Sequence, residues 1–517
     1  APPDLAAAVR PPQTAWAQRL ARQQIIRHGL GFDDIRTLDP HMAVASSDIP
    51  IVANVNEALL AVPDGNLASD QPRPALAERW ESSADARTWT FFLRQGVEWH
   101  DGFGAFTSAD VVFSIERVRS AQTGSPFRST LSNIASAEAD GPHRVRVTLQ
   151  HPDPFFPRLM VNYQGGYLVC RRAVEAGVDL KNRLVGTGPF RLRSYQARDK
   201  LVLERNDAYW GGRPVVESII FQFMPQASAR ELALRTGDVD VIDIESRQDV
   251  VDRLRRARQV VETTVVGVPY VLYINLTKRP FDDLRVRQAL AHATDRDNLL
   301  AFVGRDLAKA EHSAVPAGYA GHVDAVRTYS HDLDRARSLL REAGYPNGFS
   351  TDVIVSNSVM YLPIMQVLQE QWKKAGINVS LRVVDHPSFH RLIRQDASPL
   401  VIYNASRYPQ TAQVYLDQFY AGPASIGKPT AITNFSHYGD AIPGIDDLLE
   451  RARTSTDAEA TQRLWAAAQA KIAEDLPSLP LFNLNSAMAR SQRLDVGYAL
   501  HSQPFYVYGP RARLLAA

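Results

Sequence analysis

A chain of 517 residues, 45% hydrophobic and 22% charged, has the composition of a globular protein and is too long for a single hydrophobic core. Its 58 Lys and Arg residues balance 56 Asp and Glu residues, which excludes the basic stripe of a protein that coats nucleic acid. No run of about 18 apolar residues occurs, so we expect no transmembrane helix and no membrane insertion.

The start of the chain fits two explanations, an exported protein whose secretory signal has been removed and a chain trimmed at its N-terminus. Residues 1–22 are rich in Pro, Ala and Arg with weak periodicity, which predicts an N-terminal arm outside the core. The sequence begins at Ala1 rather than Met, as after removal of a secretory signal, and no Cys lies near the start to carry a lipid. Cys170, the one cysteine, is predicted to be a small buried hydrophobe.

The first predicted elements are a strand over residues 24–31 and a helix over about 51–60. The segment TLDPH, which begins at Thr37, lies between them. Aromatic and polar residues then alternate over 89–93, the period of a half-buried strand. A turn at 94–96 predicts a return strand over 97–100.

A capped helix is predicted after that turn. Thr107 is followed three residues later by Asp110, the spacing of a capping box. Val111, Ile115 and Val118 share the buried face of the helix.

Alternating strand and helix patterns continue to about residue 244 and predict an α/β layer. The segment Asp153-Pro154-Phe155-Phe156-Pro157 is interpreted as a break in the chain. The predicted elements are strands over 143–150, 190–195, 201–205, 219–223 and 239–244, and a helix over 227–236.

A second α/β unit follows, bracketed by extended apolar segments at 268–275 and 479–485. Its predicted helices cover 285–300 and 333–343, a stripe from Ile364 to Ala375, and a helix opened by Thr456 with Glu459. A strand is predicted over 379–384.

Four of these blocks, in this order, resemble signature blocks of the family 5 extracellular solute-binding proteins, the peptide, nickel and opine receptors of ABC importers. The blocks are residues 76–118, GTGPF at 186–190, NDAYWGGRP at 206–214 and GDVD at 237–240. The resemblance covers nearly the whole chain beyond residue 23. It implies the α/β, two-lobed periplasmic-binding-protein fold with hinge strands and an extra subdomain.

On this resemblance, lobe one comprises residues 23–268 with an extra subdomain at 61–185, lobe two comprises 269–485, and 486–517 return to lobe one. The resemblance also implies a periplasmic receptor, monomeric, that hands a small-molecule ligand to the transmembrane subunits of an ABC permease. We expect no nucleic-acid partner.

Motifs of catalysis are absent from the sequence. Gly186-Thr187-Gly188 lacks the third glycine of a dinucleotide fingerprint, and Pro189 removes an N–H that a phosphate cradle would use. A structural turn is therefore predicted there. Neither G-x-S-x-G nor H-E-x-x-H occurs. We expect a binding protein rather than an enzyme, with no cofactor.

His386 and His390 are four residues apart, a spacing that places two imidazoles on one helical face. No carboxylate or Cys pattern completes a metal site, so surface or capping histidines are favoured and no metal ligand is assigned.

The segment 401–416 departs from the peptide-binding members of the family. Those members resemble W-x-x-D-x-x-x-P there, and the Asp accepts the amino terminus of the peptide. In this sequence Asn404 falls at the Trp, Arg407 at the Asp and Thr411 at the Pro. The upstream segment 353–361, where dipeptide receptors carry an Arg for the ligand carboxylate, has none here.

This charge reversal predicts an anionic ligand, because a guanidinium binds a carboxylate, phosphate or sulfonate with two parallel N–H bonds. The alternative is that Arg407 is a surface residue or forms a salt bridge with an acid such as Asp417. The predicted ligand-binding residues are Tyr403, Asn404, Ser406, Arg407 and Tyr408 of lobe two, with Thr37 and Arg128 from lobe one.

Within the anionic class, the ligand is expected to be an opine, a sugar acid or a sugar phosphate conjugate. Two further ligands remain open at this stage: a short peptide recognised through its backbone, and a metallophore.

Overall fold

A larger and a smaller β-sheet divide the molecule into two lobes. The computed structural model describes residues 20–69 and 71–516, so residues 1–19 of the predicted arm lie outside the described residues. The described chain crosses from the larger sheet to the smaller one between Thr263 and Val268, and it crosses back between Leu484 and Ala487. Lobe one denotes here the part built on the larger sheet, and lobe two the part built on the smaller sheet.

The larger sheet is centred on the first predicted strand, which forms at Ile25–Leu30 and pairs in parallel with neighbours on both sides. Its first four residues alternate between half-buried and buried, and its last two are buried. Ile26 and Leu30 are fully buried in the core of lobe one. Across the described part of the sheet the strand order is Phe190–Gln196, Lys200–Arg205, Ser218–Phe223, Ile25–Leu30, Val241–Asp243, Ala487–Arg490 and Val260–Thr263.

The smaller sheet contains the two extended segments that bracket the second predicted unit. Val268–Ile274 pairs antiparallel with Ser478–Leu484 on one side and with Leu400–Asn404 on the other, and Ala308–Ala310 extends the edge. A parallel pair, Phe349–Ser356 with Ile377–Val384, lies in the same lobe. These strands carry a separate apolar core, to which Trp372 contributes a fully buried ring.

A further antiparallel sheet in lobe one carries the aromatic block that begins at Leu76. In it Thr88–Leu93 pairs with Ala77–Ser82 on one edge and with Arg144–Leu149 on the other, and Ile134–Ala139 pairs with the latter. The return strand predicted at 97–100 forms only over Glu98–Trp99 and does not pair with Thr88–Leu93. Both edges of Thr88–Leu93 are already occupied, and only Glu98–Trp99 is extended, pairing with Gly104–Ala105.

Helices cover the faces of these sheets, and none in the described ranges combines the length and apolar character needed to cross a bilayer. The capping box at Thr107 and Asp110 is confirmed, and Val111, Ile115 and Val118 are buried. The α-helices described are Ile49–Val52, Ser108–Arg119, Arg171–Glu175, Ala227–Thr236, Gln248–Arg256, Leu284–Ala293, Arg296–Val303, Leu333–Glu342, Leu362–Lys373, His386–Arg394, Ala412–Phe419, Ile445–Arg453 and Ala458–Asp475.

Three predicted helices differ from the structure. The helix expected at 51–60 is the short Ile49–Val52, because Leu60–Ala61 joins a two-stranded ladder instead. The helix expected at 285–300 divides at Asp295, whose side chain accepts from the backbone N of Asn298 and caps a second helix. The last long helix is capped by Asp457 rather than Thr456.

The glycine turn at 186–188 is packed against the backbone of Val55. A Cβ added to Gly186 would lie 2.0 Å from the Val55 carbonyl oxygen, and the backbone N of Gly188 donates to that oxygen at 2.9 Å. This close approach requires glycine. It agrees with the predicted structural turn, since the inner face of the turn is occupied by protein.

Glu57 joins two of the sequence blocks that carry the family resemblance. Its carboxylate accepts hydrogen bonds from Thr187 Oγ1, Tyr209 Oη and Trp210 Nε1, at 2.7 to 2.9 Å. Burial raises the pKa of Glu57, while the three donors oppose that effect. The tyrosine and tryptophan of the NDAYWGGRP block therefore hold a half-buried acid rather than a ligand.

Candidate ligand-binding site

The predicted ligand-binding segment forms a loop at the carboxyl end of a strand, between Leu400–Asn404 and the helix Ala412–Phe419. The helix begins because Thr411 Oγ1 accepts from the backbone N of Val414, satisfying one of its free N–H groups. Loops at this end of a strand are the usual ligand-binding positions of α/β sheets.

Arg407 folds back onto lobe two. Its guanidinium carbon lies 4.4 Å from the centroid of the Phe419 ring. Nε donates to Gln418 Oε1, and Nη2 donates to Thr433 Oγ1 at 3.1 Å. These acceptors are neutral, and no carboxylate in the described part of the chain forms an ion pair with Arg407. The anticipated salt bridge to Asp417 does not form.

Asp417 is instead paired with Arg453, whose Nη2 lies 2.8 Å from the Asp417 carboxylate. Burial raises the pKa of Asp417, and the Arg453 charge opposes this effect. The charge of Arg407 therefore remains without an anionic counterpart among the described residues, while its orientation is fixed by the aromatic ring and the two neutral acceptors.

The other predicted residues of the loop have different roles. Tyr361 Oη donates to Asn404 Oδ1, which ties the end of the strand to the segment after Phe349–Ser356. The ring of Tyr403 packs 5.2 Å from that of Phe435, against the aromatic core of lobe two, and remains partly exposed. Ser406 is exposed, and its carbonyl oxygen accepts from Arg407 Nη1.

Tyr408 connects the two lobes. Its ring meets the edge of Tyr163 with centroids 5.2 Å apart, and its hydroxyl donates to the carbonyl of Arg158 at 3.3 Å. Arg158 Nη2 in turn donates to the carbonyl of Gln410 at 3.2 Å. The loop that carries Arg407 is thereby in contact with lobe one.

A cavity of about 490 Å³ lies beside this contact, between residues 129–159 of lobe one and residues 408–465 of lobe two. We call it the cleft cavity. The rings of Phe155 and Trp465, both in its lining, contact each other with centroids 5.0 Å apart. Gln418 lines the cavity and also binds Arg407. The cleft cavity is thus a ligand-sized space with aromatic walls. Of the seven predicted ligand-binding residues its lining includes Tyr408 alone, and Arg407 is connected to the cavity through Gln418.

Asp153 is the carboxylate of the lobe-one wall. It is half-buried, and Phe155 donates its backbone N–H to Oδ1 at 2.8 Å. Burial raises the pKa of Asp153 to about 6, and the hydrogen bond from Phe155 opposes that shift. The charge of this wall therefore changes near neutral pH.

The structure does not bring Thr37 and Arg128 to the cleft cavity. Thr37 Oγ1 accepts from the backbone N of Asp39, and Asp39 is held by an ion pair with Arg117 on the far side of the loop. Arg128 Nε donates to the carbonyl of Arg119 and lines a larger but more open surface groove of about 890 Å³. Both residues were predicted to bind the ligand from the chain topology alone. Their local hydrogen bonds hold them outside the lining of the cleft cavity.

Sequence reasoning missed Phe155, Asp153, Arg453 and Trp465. In the sequence the Asp-Pro-Phe-Phe-Pro segment indicates only a break in the chain, whereas the structure places Asp153 and Phe155 in the lining of the cleft cavity. Trp465 lies on the buried face of its helix and cannot be distinguished there from a core residue. The described residues hold no group of three or more His, Cys, Asp and Glu side chains suited to a metal ion.

Comparison with known proteins identifies the relatives of this chain. The family model described as "Bacterial extracellular solute-binding proteins, family 5 Middle" matches residues 71–426. The dipeptide-binding protein of Escherichia coli K12 is 27% identical over 436 residues, 78% of this chain and 80% of that protein. The heme-binding protein A of Haemophilus influenzae is 26% identical over 437 residues, 79% and 78% of the two chains.

A solved structure is also similar over almost the whole chain. The binding protein MoaA from A. tumefaciens R10, in complex with mannopinic acid, is 34% identical with a TM-score of 0.75. The match covers 96% of this chain and 100% of that protein.

Proposed function

Because this chain belongs to the bacterial extracellular solute-binding proteins of family 5, we propose that it binds an anionic small organic solute between its two lobes in the periplasm. It delivers that solute, as a monomer, to the transmembrane subunits of an ABC importer. The solute is of the opine, sugar-acid or sugar-phosphate class.

The observation that carries this proposal is the environment of Arg407. The Arg407 guanidinium, whose acceptor Gln418 lines a ligand-sized cavity, has neutral acceptors and an aromatic face, but no carboxylate partner among the described residues. A ligand carboxylate or phosphate supplies that missing charge through charge-assisted hydrogen bonds, which are stronger than neutral ones. An ammonium group is repelled at the same position.

The relatives differ in what their names say they bind: a dipeptide, heme and, in the MoaA structure, mannopinic acid. The MoaA match, at 34% identity, is higher in identity than the dipeptide-binding and heme-binding matches quoted above. An acidic ligand in that relative agrees with the charge at position 407, and supports the opine or sugar-acid class over a peptide.

The proposed action is capture and release without a chemical step. Two crossings connect the lobes, so bending there opens and closes the cleft as one movement. Fixed polar groups and aromatic walls give affinity because the protein loses little conformational freedom when the solute binds.

The deciding experiment is to denature the protein purified from a periplasmic preparation and identify released small molecules by mass spectrometry. The candidate is then titrated back by calorimetry and small-angle scattering. An acidic solute that binds and compacts the protein supports the proposal. Release of a neutral or cationic peptide, or turnover of the added solute into a product, contradicts it.

A further inference from the structure

Two histidines of lobe two converge at the start of the helix His386–Arg394. The Nε2 atoms of His386 and His390 are 3.1 Å apart. Their rings are nearly perpendicular, at 85°, with centroids 4.5 Å apart. Residues four apart share a helical face, but convergence of these two nitrogens requires both side chains to turn toward each other.

We propose that the His386–His390 pair is an open binding site for a divalent late transition-metal ion, of the Ni²⁺, Cu²⁺ or Zn²⁺ class. Imidazole nitrogens bind such ions at about 2.0–2.1 Å, which places two of them roughly 2.9 Å apart at a right angle and roughly 3.4 Å apart at the tetrahedral angle. The observed separation of 3.1 Å lies between these values.

The surroundings hold both rings in this orientation. Ser356 is fully buried, and its Oγ lies 2.9 Å from His386 Nδ1 and accepts from the backbone N of Ser358. The His386 ring stacks on Tyr361 at 5.8 Å, and the His390 ring meets the edge of Tyr403 at 5.9 Å. A hydrogen bond on the second ring nitrogen is the usual support of a metal-binding histidine.

The charged residues beside the pair are engaged by neighbouring backbone groups. Asp385 is engaged as the helix cap by the backbone N of Ser388, and Arg394 Nη1 donates to the carbonyl of Ile432. A neutral imidazole is the form that binds a metal, whereas Arg394 favours anionic groups at the remaining coordination positions.

The protein supplies two ligands to this site. No third His, Cys, Asp or Glu within the described ranges joins the pair, so water or a chelating solute completes the coordination. The pair adjoins the proposed ligand loop, because Tyr361 contacts His386 and also donates to Asn404. The inference goes beyond the proposed function and does not depend on the solute being anionic.

The test uses the full-length, tag-free chain, freed of metal with a chelator and titrated with NiCl₂, CuCl₂ and ZnCl₂ by calorimetry and native mass spectrometry. We expect one ion per chain. The double variant His386→Gln/His390→Gln loses binding, and Ser356→Ala weakens it by about tenfold. His501→Gln, an exposed histidine on lobe one, is the matched control and binds as the wild type does.

A spectroscopic measurement on the wild type tests the site without depending on whether the variants fold. The electron paramagnetic resonance spectrum of the Cu²⁺ form is expected to show splitting from two imidazole nitrogens. Absence of binding, absence of nitrogen splitting, or undiminished binding in the double variant overturns the proposal. In those cases the 3.1 Å contact is a hydrogen bond between two imidazoles.

Discussion

The guanidinium of Arg407 lies over the ring of Phe419, 4.4 Å from its centroid. Phe419 is fully buried at the end of the helix Ala412–Phe419, so the aromatic face that holds the cation is itself rigid. A charge placed in this way is oriented before a ligand arrives, and less ordering is required on binding.

Arg407→Ala is expected to weaken binding of the acidic solute by about 2–4 kcal/mol, because a desolvated charge-assisted pair is lost. Arg407→Lys retains the charge but loses the planar fork, so an intermediate loss is expected. Calorimetry measures both. The control is Arg463→Ala, whose side chain is 71% exposed and pairs only with Glu459. An unchanged dissociation constant for Arg407→Ala removes this residue from the site.

Phe155→Ala is expected to weaken ligand binding by about 1 kcal/mol, since the ring contact with Trp465 joins the walls of the cleft cavity. Scattering should also show less compaction at saturating ligand. Phe302→Ala is the matched control, because that ring is 54% exposed on the surface of lobe two. Equal affinities of the two variants would show that the Phe155–Trp465 contact has no part in binding.

Gly186→Ala is expected to destabilise the protein by about 3 kcal/mol, because the added Cβ meets the Val55 carbonyl, which cannot move without breaking its bond to Gly188. The thermal midpoint of unfolding measures the effect. Gly509→Ala is the control, since a Cβ there meets nothing within 4 Å. A midpoint like that of the control would contradict the close approach.

Glu57→Ala leaves the donors of Thr187, Tyr209 and Trp210 without this acceptor and is expected to destabilise the protein by about 3 kcal/mol. Glu57→Gln preserves the shape and one accepting oxygen, so a smaller loss is expected. Thermal unfolding of the two variants at the same pH compares them. The unfolding midpoint is expected to be lowest for Glu57→Ala, higher for Glu57→Gln and highest for the wild type. A reversed order of the midpoints excludes the hydrogen-bonding role of Glu57.

The raised pKa of Asp153 predicts that the free energy of unfolding depends on pH. Its folded-state pKa of about 6 is above its ordinary value of 3.8, so the folded state binds more protons between these values. Its contribution to stability is therefore complete below pH 3.8 and is lost as the pH rises through 6. Asp153→Asn should raise the unfolding midpoint relative to the wild type at pH 7, but not at pH 4.

The comparison for this pH effect is Asp199→Asn, at an aspartate whose side chain is 63% exposed. That variant should follow the wild type at both pH values. An Asp153→Asn curve parallel to the wild-type curve across the range would show that Asp153 does not titrate in the folded protein.

Local patterns predicted many of the elements well. The capping box at Thr107, the helix Ala227–Thr236 and the strand Thr88–Leu93 depend on residues within one element, and they form at or next to the predicted positions. The partners with which the strands pair are harder to predict from the sequence. The segment 97–100 does not pair with Thr88–Leu93, because one edge of that strand is taken by Ala77–Ser82 and the other by Arg144–Leu149, which lies far away in the chain.

The sequence by itself determined the family, the alternation of strands and helices, and the presence of Arg at position 407, since these are properties of residue order. Only the tertiary structure decided what surrounds that Arg: Phe419, Gln418 and Thr433 instead of Asp417. It also decided that Thr37 and Arg128 lie away from the cleft cavity, and that His386 and His390 turn toward each other. Side-chain direction and counter-charge depend on packing between distant segments, which residue order does not specify locally.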